Sequence, residues 1–235
     1  MSEPIPAAPL AGDQAVAPAW HTIVVLLLLL AVSFVGARIR LPAIAGMHGR
    51  LPSYLFVLIF EWAAVAFIGW GVRRRGIRFG ALIGGSWARR LYILRDLGLG
   101  IAFIVIFGGL TQVLTAVLKA APPAAVSAML PRTPLELGLW IPVAFTGGFC
   151  EEVIFRGYLQ RQFSALAHSV AVGIVLQALV FGLSHGYQGW RLMLIIAIFG
   201  ACFGGFAHWR RSLRPGIFGH VLQDSVGGIL AYFSR

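Results

Sequence analysis

The chain has 235 residues, of which 59% are hydrophobic and only 11% charged. Soluble domains run near 25% charged, so this composition excludes an ordinary water-soluble protein. The formal net charge of +11 rests on 19 Lys or Arg, all but one of them Arg, spread between apolar runs. They are not gathered in a basic domain with interleaved aromatics, so they read as topology and lipid-headgroup determinants and no nucleic-acid partner is expected.

Residues 1–19 are rich in Ala and Pro, hold no Lys or Arg and show no apolar period, which predicts a disordered tail. A secretory signal needs a positive region ahead of its apolar run, so residues 20–37 read as a retained membrane helix. A second apolar segment covers 51–72. The stretch 73–95 then carries seven arginines around a short apolar run, 79–87, too short to span and suited to the interface. A third segment covers 97–118, and the connection 119–134 holds four prolines that cannot continue a helix. Further segments fall at 137–163, 169–184, 192–207 and 216–233, the last three marginal in length. The expected fold is all-α, a polytopic transmembrane bundle of seven or eight membrane helices, with 20–235 as one bundle. In the sixth segment Gly200 and Gly204 stand at the spacing that admits a close neighbour. Loop cations, counted over seven crossings with the N-terminus inside, favour a cytoplasmic N-terminus by ten to seven. The two cysteines, Cys150 and Cys202, are embedded in apolar sequence and make no disulfide framework.

Only eight acids are present, and four of them, Glu61, Glu151, Glu152 and Asp224, fall inside apolar segments. An ionised residue at a membrane helix centre costs roughly 2.5–3.5 kcal/mol, so such groups persist where they pair or face a wet cavity. At about 100° per residue, Glu152 and Arg156 share a helix face and form an ion pair, while Glu151 lies about 140° from Arg156 and stays free to act. His220 and Asp224 are one turn apart and serve one cavity from a single face, and His185 ends the fifth segment. Glu61 stands alone in the second segment with no Arg or Lys in register. His21, His48, His168 and His208 lie at segment edges or in loops and read as structural. Cys150 is a poor nucleophile, because an apolar helix and adjacent carboxylates favour its neutral thiol.

These residues carry a pattern. Glu151-Glu152-Val-Ile-Phe-Arg156-Gly157, Phe181-Gly-Leu-Ser-His185 and His220-Val-Leu-Gln-Asp224 occur in order on three membrane segments. In this the sequence resembles the CAAX protease and bacteriocin-processing (CPBP) family of intramembrane proteases over about residues 137–233. The resemblance implies a glutamate-dependent endopeptidase of the Ras-converting-enzyme type, without a covalent acyl-enzyme and without a cofactor. Glu151 and His185 would hold and deprotonate a water, His220 and Asp224 would stabilise the oxyanion, and Glu152 with Arg156 would brace the site. Relatives often have Asn where Asp224 stands. An ionised Asp224 would repel an oxyanion, so it is expected to be protonated or to act by orienting and charging His220.

Partners implied are the lipid bilayer and a membrane-associated or lipidated peptide or protein, in a prokaryotic inner membrane. For His185 and His220 to share one water, the fifth segment is expected to continue beyond His185 and His220 to lie deeper than its fifth place in the last segment. Two other readings of the same residues are open. One is a metal-dependent membrane hydrolase, since two His and a carboxylate make a familiar zinc set, though HExxH is absent. The other is a non-catalytic binding or immunity-type protein, or a transporter, using the same polar cluster.

Overall fold

The computed structural model describes residues 14–36, 50–85, 89–121 and 124–234. Among these the secondary structure is helical, apart from one isolated bridge between Gly84 and Ser212. In chain order the helices are α1 (Ala19–Gly36), α2 (Leu51–Arg73), α3 (Phe79–Ile83), α4 (Arg90–Val117), α5 (Ala124–Met129) and α6 (Pro134–Glu151). A π-helical segment, Glu152–Leu159, runs straight on from α6 into α7 (Gln160–Leu166). Then follow α8 (Val170–Ser184), a 3-10 turn (Gly186–Gln188), α9 (Trp190–Arg210) and α10 (Arg214–Phe233).

Among the described residues, four helical stretches are long and apolar enough to cross a membrane: Leu51–Arg73, Arg90–Val117, Pro134–Leu166 and Trp190–Arg210. Ala19–Val35 and Val170–Ser184 are shorter apolar helices. With many large apolar side chains turned outward, including Ile59, Val105, Ile106 and Val117, this is an integral membrane protein of all-α architecture. The short run after the second segment behaves as its length demands: α3 is a five-residue helix whose Leu82 is fully buried against the bundle.

Local sequence sets several boundaries. Thr133 caps α6: its hydroxyl accepts from the Glu136 N–H at 3.2 Å and the Glu136 carboxylate accepts from the Thr133 N–H at 3.2 Å, with Pro134 in the first turn. This reciprocal box satisfies two otherwise orphaned donors and starts the helix three residues earlier than its apolar pattern does. Residues 1–13 of the expected tail lie outside the described residues. Residues just beyond them are packed: Val16 and Ala17 are buried, and Ala17 exchanges two hydrogen bonds with the Gln162 amide at 3.1 and 3.0 Å.

The core gathers around the π segment, every residue of which from Glu152 to Leu159 is buried. α2 and α10 flank α6, α4 packs on α10, and α8 lies between α1 and α9. Gly148 permits the α6–α10 approach, since a Cβ there would sit 2.6 Å from the Val221 backbone nitrogen. Gly200 and Gly204 admit the close neighbour their spacing predicts. Their carbonyls accept from Arg156 (3.2 Å) and Gln177 (2.9 Å), and from Gln160 (3.1 Å), respectively.

The two arginine-rich loops meet at one end of the bundle, where the Leu213 N–H donates to the Ile83 carbonyl at 2.8 Å beside the Gly84–Ser212 bridge. At the other end, Arg50 pairs with Glu136 at 3.8 Å and Arg191 donates to the Lys119 carbonyl at 3.2 Å. The seven alternating crossings expected from the sequence would put these loops on the same two sides.

Candidate active site

The last residue of α6 and the first of the π segment are the two glutamates. Glu152 points inward, fully buried, with its Oε1 3.1 Å from Arg156 Nη1. The Arg156 guanidinium lies 4.4 Å above the Phe181 ring and 5.0 Å from that of Phe203, so it is housed by aromatic faces as well as by its carboxylate. The expected ion pair forms, but not on an α-helix: over 152–159 the ladder switches to i→i+5 hydrogen bonds, and the assumption of 100° per residue is corrected there.

Glu151 lies on the other side, partly exposed, between two histidines from different helices. His185 Nε2 is 3.8 Å from Glu151 Oε1 and His220 Nε2 is 3.7 Å from Glu151 Oε2. His220 Nδ1 is 3.3 Å from Glu152 Oε1, and its Nε2 is 3.8 Å from Asp224 Oδ2. Three motifs spread over residues 151–224 of the sequence thus form one continuous polar cluster. Each histidine is held from behind: His185 Nδ1 is 2.8 Å from the Phe181 carbonyl, and the His220 ring lies 5.3 Å from that of Phe203. Trp140 Nε1 donates to the Asp224 carbonyl at 2.8 Å, tying α10 back to α6.

The route to this convergence differs from the expected one. α8 does not continue past His185; it ends at Ser184, and His185 is its C-cap, leading into the 3-10 turn. The ring reaches the site from the cap, hydrogen-bonded one turn back. α10 begins at Arg214 rather than 216, which puts His220 nearly two turns inside the helix.

Two residues join the cluster that the sequence left aside. Glu61 interacts electrostatically with Glu151 and His220, and its Oε2 is closed off from solvent without a hydrogen-bond partner, although the residue as a whole is partly exposed. The signal was its place in the stripe Tyr54, Glu61, Val65, Ile68, Val72, the face that α2 turns to the bundle. Tyr187, in the turn after α8, interacts with Glu151, Glu61 and Asp224; burial pushes its phenol up to about 12. Nothing in the sequence marked it. Cys150 is buried beside the cluster as a free thiol. His21 is engaged elsewhere, between the Tyr158 hydroxyl (2.8 Å) and the Phe67 carbonyl (3.0 Å), and His48 lies outside the described residues. Among the described residues, no group of three His, Cys, Asp or Glu is arranged to hold a metal ion.

No curated protein and no solved structure matches the chain. Residues 133–226 match the model of a protein family described as Rce1-like, type II CAAX prenyl endopeptidase. That span runs from the cap of α6 to two residues past Asp224 and holds every member of the cluster except Glu61. Over that span, which is less than half of the chain, the protein is similar to the Rce1-like family of type II CAAX prenyl endopeptidases.

Proposed function

We propose that the protein cleaves a membrane-associated or lipidated peptide by direct attack of a water that Glu151 and His185 hold and deprotonate. The observation carrying this reading is that Glu151 lies within 3.8 Å of imidazole nitrogens from the cap of α8 and from α10. In the tautomer whose Nδ1–H donates to the Phe181 carbonyl, His185 offers Nε2 as an acceptor. Facing it across 3.8 Å is a carboxylate oxygen, also an acceptor. A water donating one hydrogen to each bridges two acceptors and turns its lone pairs outward, toward a substrate carbonyl. Separations slightly beyond direct hydrogen bonds are ordinary in a site that tightens around substrate.

His220 is ringed by the carboxylates of Glu151, Glu152 and Asp224. Its ring is thereby held where it can stabilise charge growing on the attacked oxygen. Asp224 then orients His220 and does not itself meet the oxyanion, which answers the repulsion that an aspartate at this position raises. In the reaction the water oxygen bonds to the carbonyl carbon and its proton passes to Glu151. The tetrahedral species collapses with loss of the C–N bond, and the amine leaves with a proton from the site. Glu152 and Arg156 brace His220 from below. No metal or cofactor enters this scheme. The substrate class that fits is a peptide tail or precursor lying at the surface of a prokaryotic inner membrane.

Turnover of a membrane-anchored peptide by wild type and by Glu151→Gln tests the reading. Removing a general base costs about 10²–10⁴-fold, so a loss of that size in kcat is expected. Equal turnover by the two proteins sinks it.

A further inference from the structure

α2 offers the site one face and the membrane another. On the outer face Trp62, Ala66, Gly69, Trp70 and Arg73, with Phe79 of α3, line a groove of about 350 Å³. Its walls are hydrocarbon and indole; its one charged group, Arg73, sits in the last turn of α2. Gly69 keeps the groove open toward α3, since a Cβ there would already lie 3.4 Å from the Phe79 ring. Trp62 and Trp70 are each 42% exposed on a helix apolar enough to cross the bilayer, so the groove opens onto lipid.

The charged end has a clear sign. Arg74 stacks 4.5 Å over the Trp70 ring, and Arg75 and Arg78 are exposed beside it. Between Trp62 and Arg95 the sequence has seven arginines and no Asp or Glu. The bridge between Gly84 and Ser212 brings the loop carrying Arg210, Arg211 and Arg214 to the same end. A neutral lipid would use the aromatic walls and waste the arginines. A phosphate ion would use the arginines and leave the walls unfilled. Only a molecule with a long apolar chain and an anionic head uses both.

We propose that this groove binds one acyl chain of an anionic phospholipid, with the lipid phosphate on Arg73 and Arg74. The pairing follows ordinary chemistry, an arginine fork on phosphate oxygens above an aromatic-walled slot at the depth where indoles meet headgroups. The inference is independent of the catalytic scheme, because none of these side chains belongs to the Glu151 cluster.

Quenching of tryptophan fluorescence by lipids brominated along one acyl chain tests it, with the full chain in vesicles of phosphatidylcholine carrying brominated phosphatidylglycerol or brominated phosphatidylcholine at equal mole fraction. The wild type is expected to be quenched more by the glycerol lipid, and the excess to vanish in Gly69→Leu, which fills the groove, and in Trp70→Phe. Arg73→Gln, at an exposed position, should weaken the preference about fivefold. Equal quenching by the two lipids in the wild type, or an undiminished excess in both Gly69→Leu and Arg73→Gln, overturns the proposal. So does full relief of the excess by millimolar glycerol 3-phosphate, which would make the site one for phosphate alone.

Discussion

Glu152 carries a heavier electrostatic burden than its neighbour Glu151, because it is sealed in the core with Arg156 on one side and His220 on the other. Removing one partner of a buried pair strands the other charge. Glu152→Gln should therefore destabilise the protein by about 3–5 kcal/mol, whereas Glu151→Gln, at a partly exposed position, should stay within about 1 kcal/mol of wild type. Denaturant unfolding in detergent separates the two: Glu151→Gln loses turnover while keeping its fold, and Glu152→Gln loses both. Tyr187 sets a limit on the pH profile. Its phenol, pushed up to about 12 by burial, is an acid whose neutral form persists below that value. It adds no ionisation to kcat/KM over the working range, so Tyr187→Phe should leave the shape of that profile unchanged up to about pH 10. A new alkaline limb in the wild type that Tyr187→Phe removes would show this assignment to be wrong. The division between the two glutamates was legible in the sequence, because the spacing to Arg156 distinguishes them. Glu61 was harder to see, since a single acid in an apolar helix reveals its role only once its neighbours show which face is turned inward.

Among the elements, the α6–α10 crossing matters most to the site, because α6 supplies Glu151 while α10 supplies His220 and Asp224. Gly148 stands at that crossing. Gly148→Val would force the helices apart against the Val221 backbone, and overpacking of this kind costs about 1–3 kcal/mol. The expected result is a folded but less stable protein whose turnover falls far more than its melting temperature, since a shift of about 1 Å at the reacting groups costs about 10²-fold. Unchanged turnover in that variant would mean the crossing does not set the geometry. Most helices were readable from apolar runs, and the start of α6 was written in Thr133, Pro134 and Glu136, a capping signature that an apolar count passes over. The π segment was not readable. Val153, Ile154 and Phe155 suit either ladder, and the choice between i→i+4 and i→i+5 falls to the side chains that must reach α8, α9 and α10 together.

At the scale of the whole molecule, charge is sorted along the bundle: ten arginines of the 73–95 and 210–214 stretches gather at one end, where the two loops meet. The excess of positive charge argues that this end faces the cytoplasm. A single cysteine placed at Arg78 should be labelled by a membrane-impermeant maleimide only after the cells are opened, and one at Arg132 without opening them; the reverse pattern would invert the topology. That these residues gather in one cluster was legible from three motifs in order, while the cluster's assembly from a helix end, a cap and a helix interior was not, because depth in a bundle depends on where helices begin and stop. One further consequence concerns the order in which the protein is built. His21, Thr22 and Ala17 emerge from the ribosome early, yet the groups that satisfy them, Tyr158 and Gln162, lie 136 to 145 residues downstream. Until that later stretch has been synthesised and inserted, His21 and Thr22 of the first helix lack the Tyr158 hydroxyl that both bond, although the Phe67 carbonyl of α2 is already there for His21. Docking of the first helix must be a late step of biogenesis, and a nascent chain halted before Tyr158 would leave that helix loose in the bilayer.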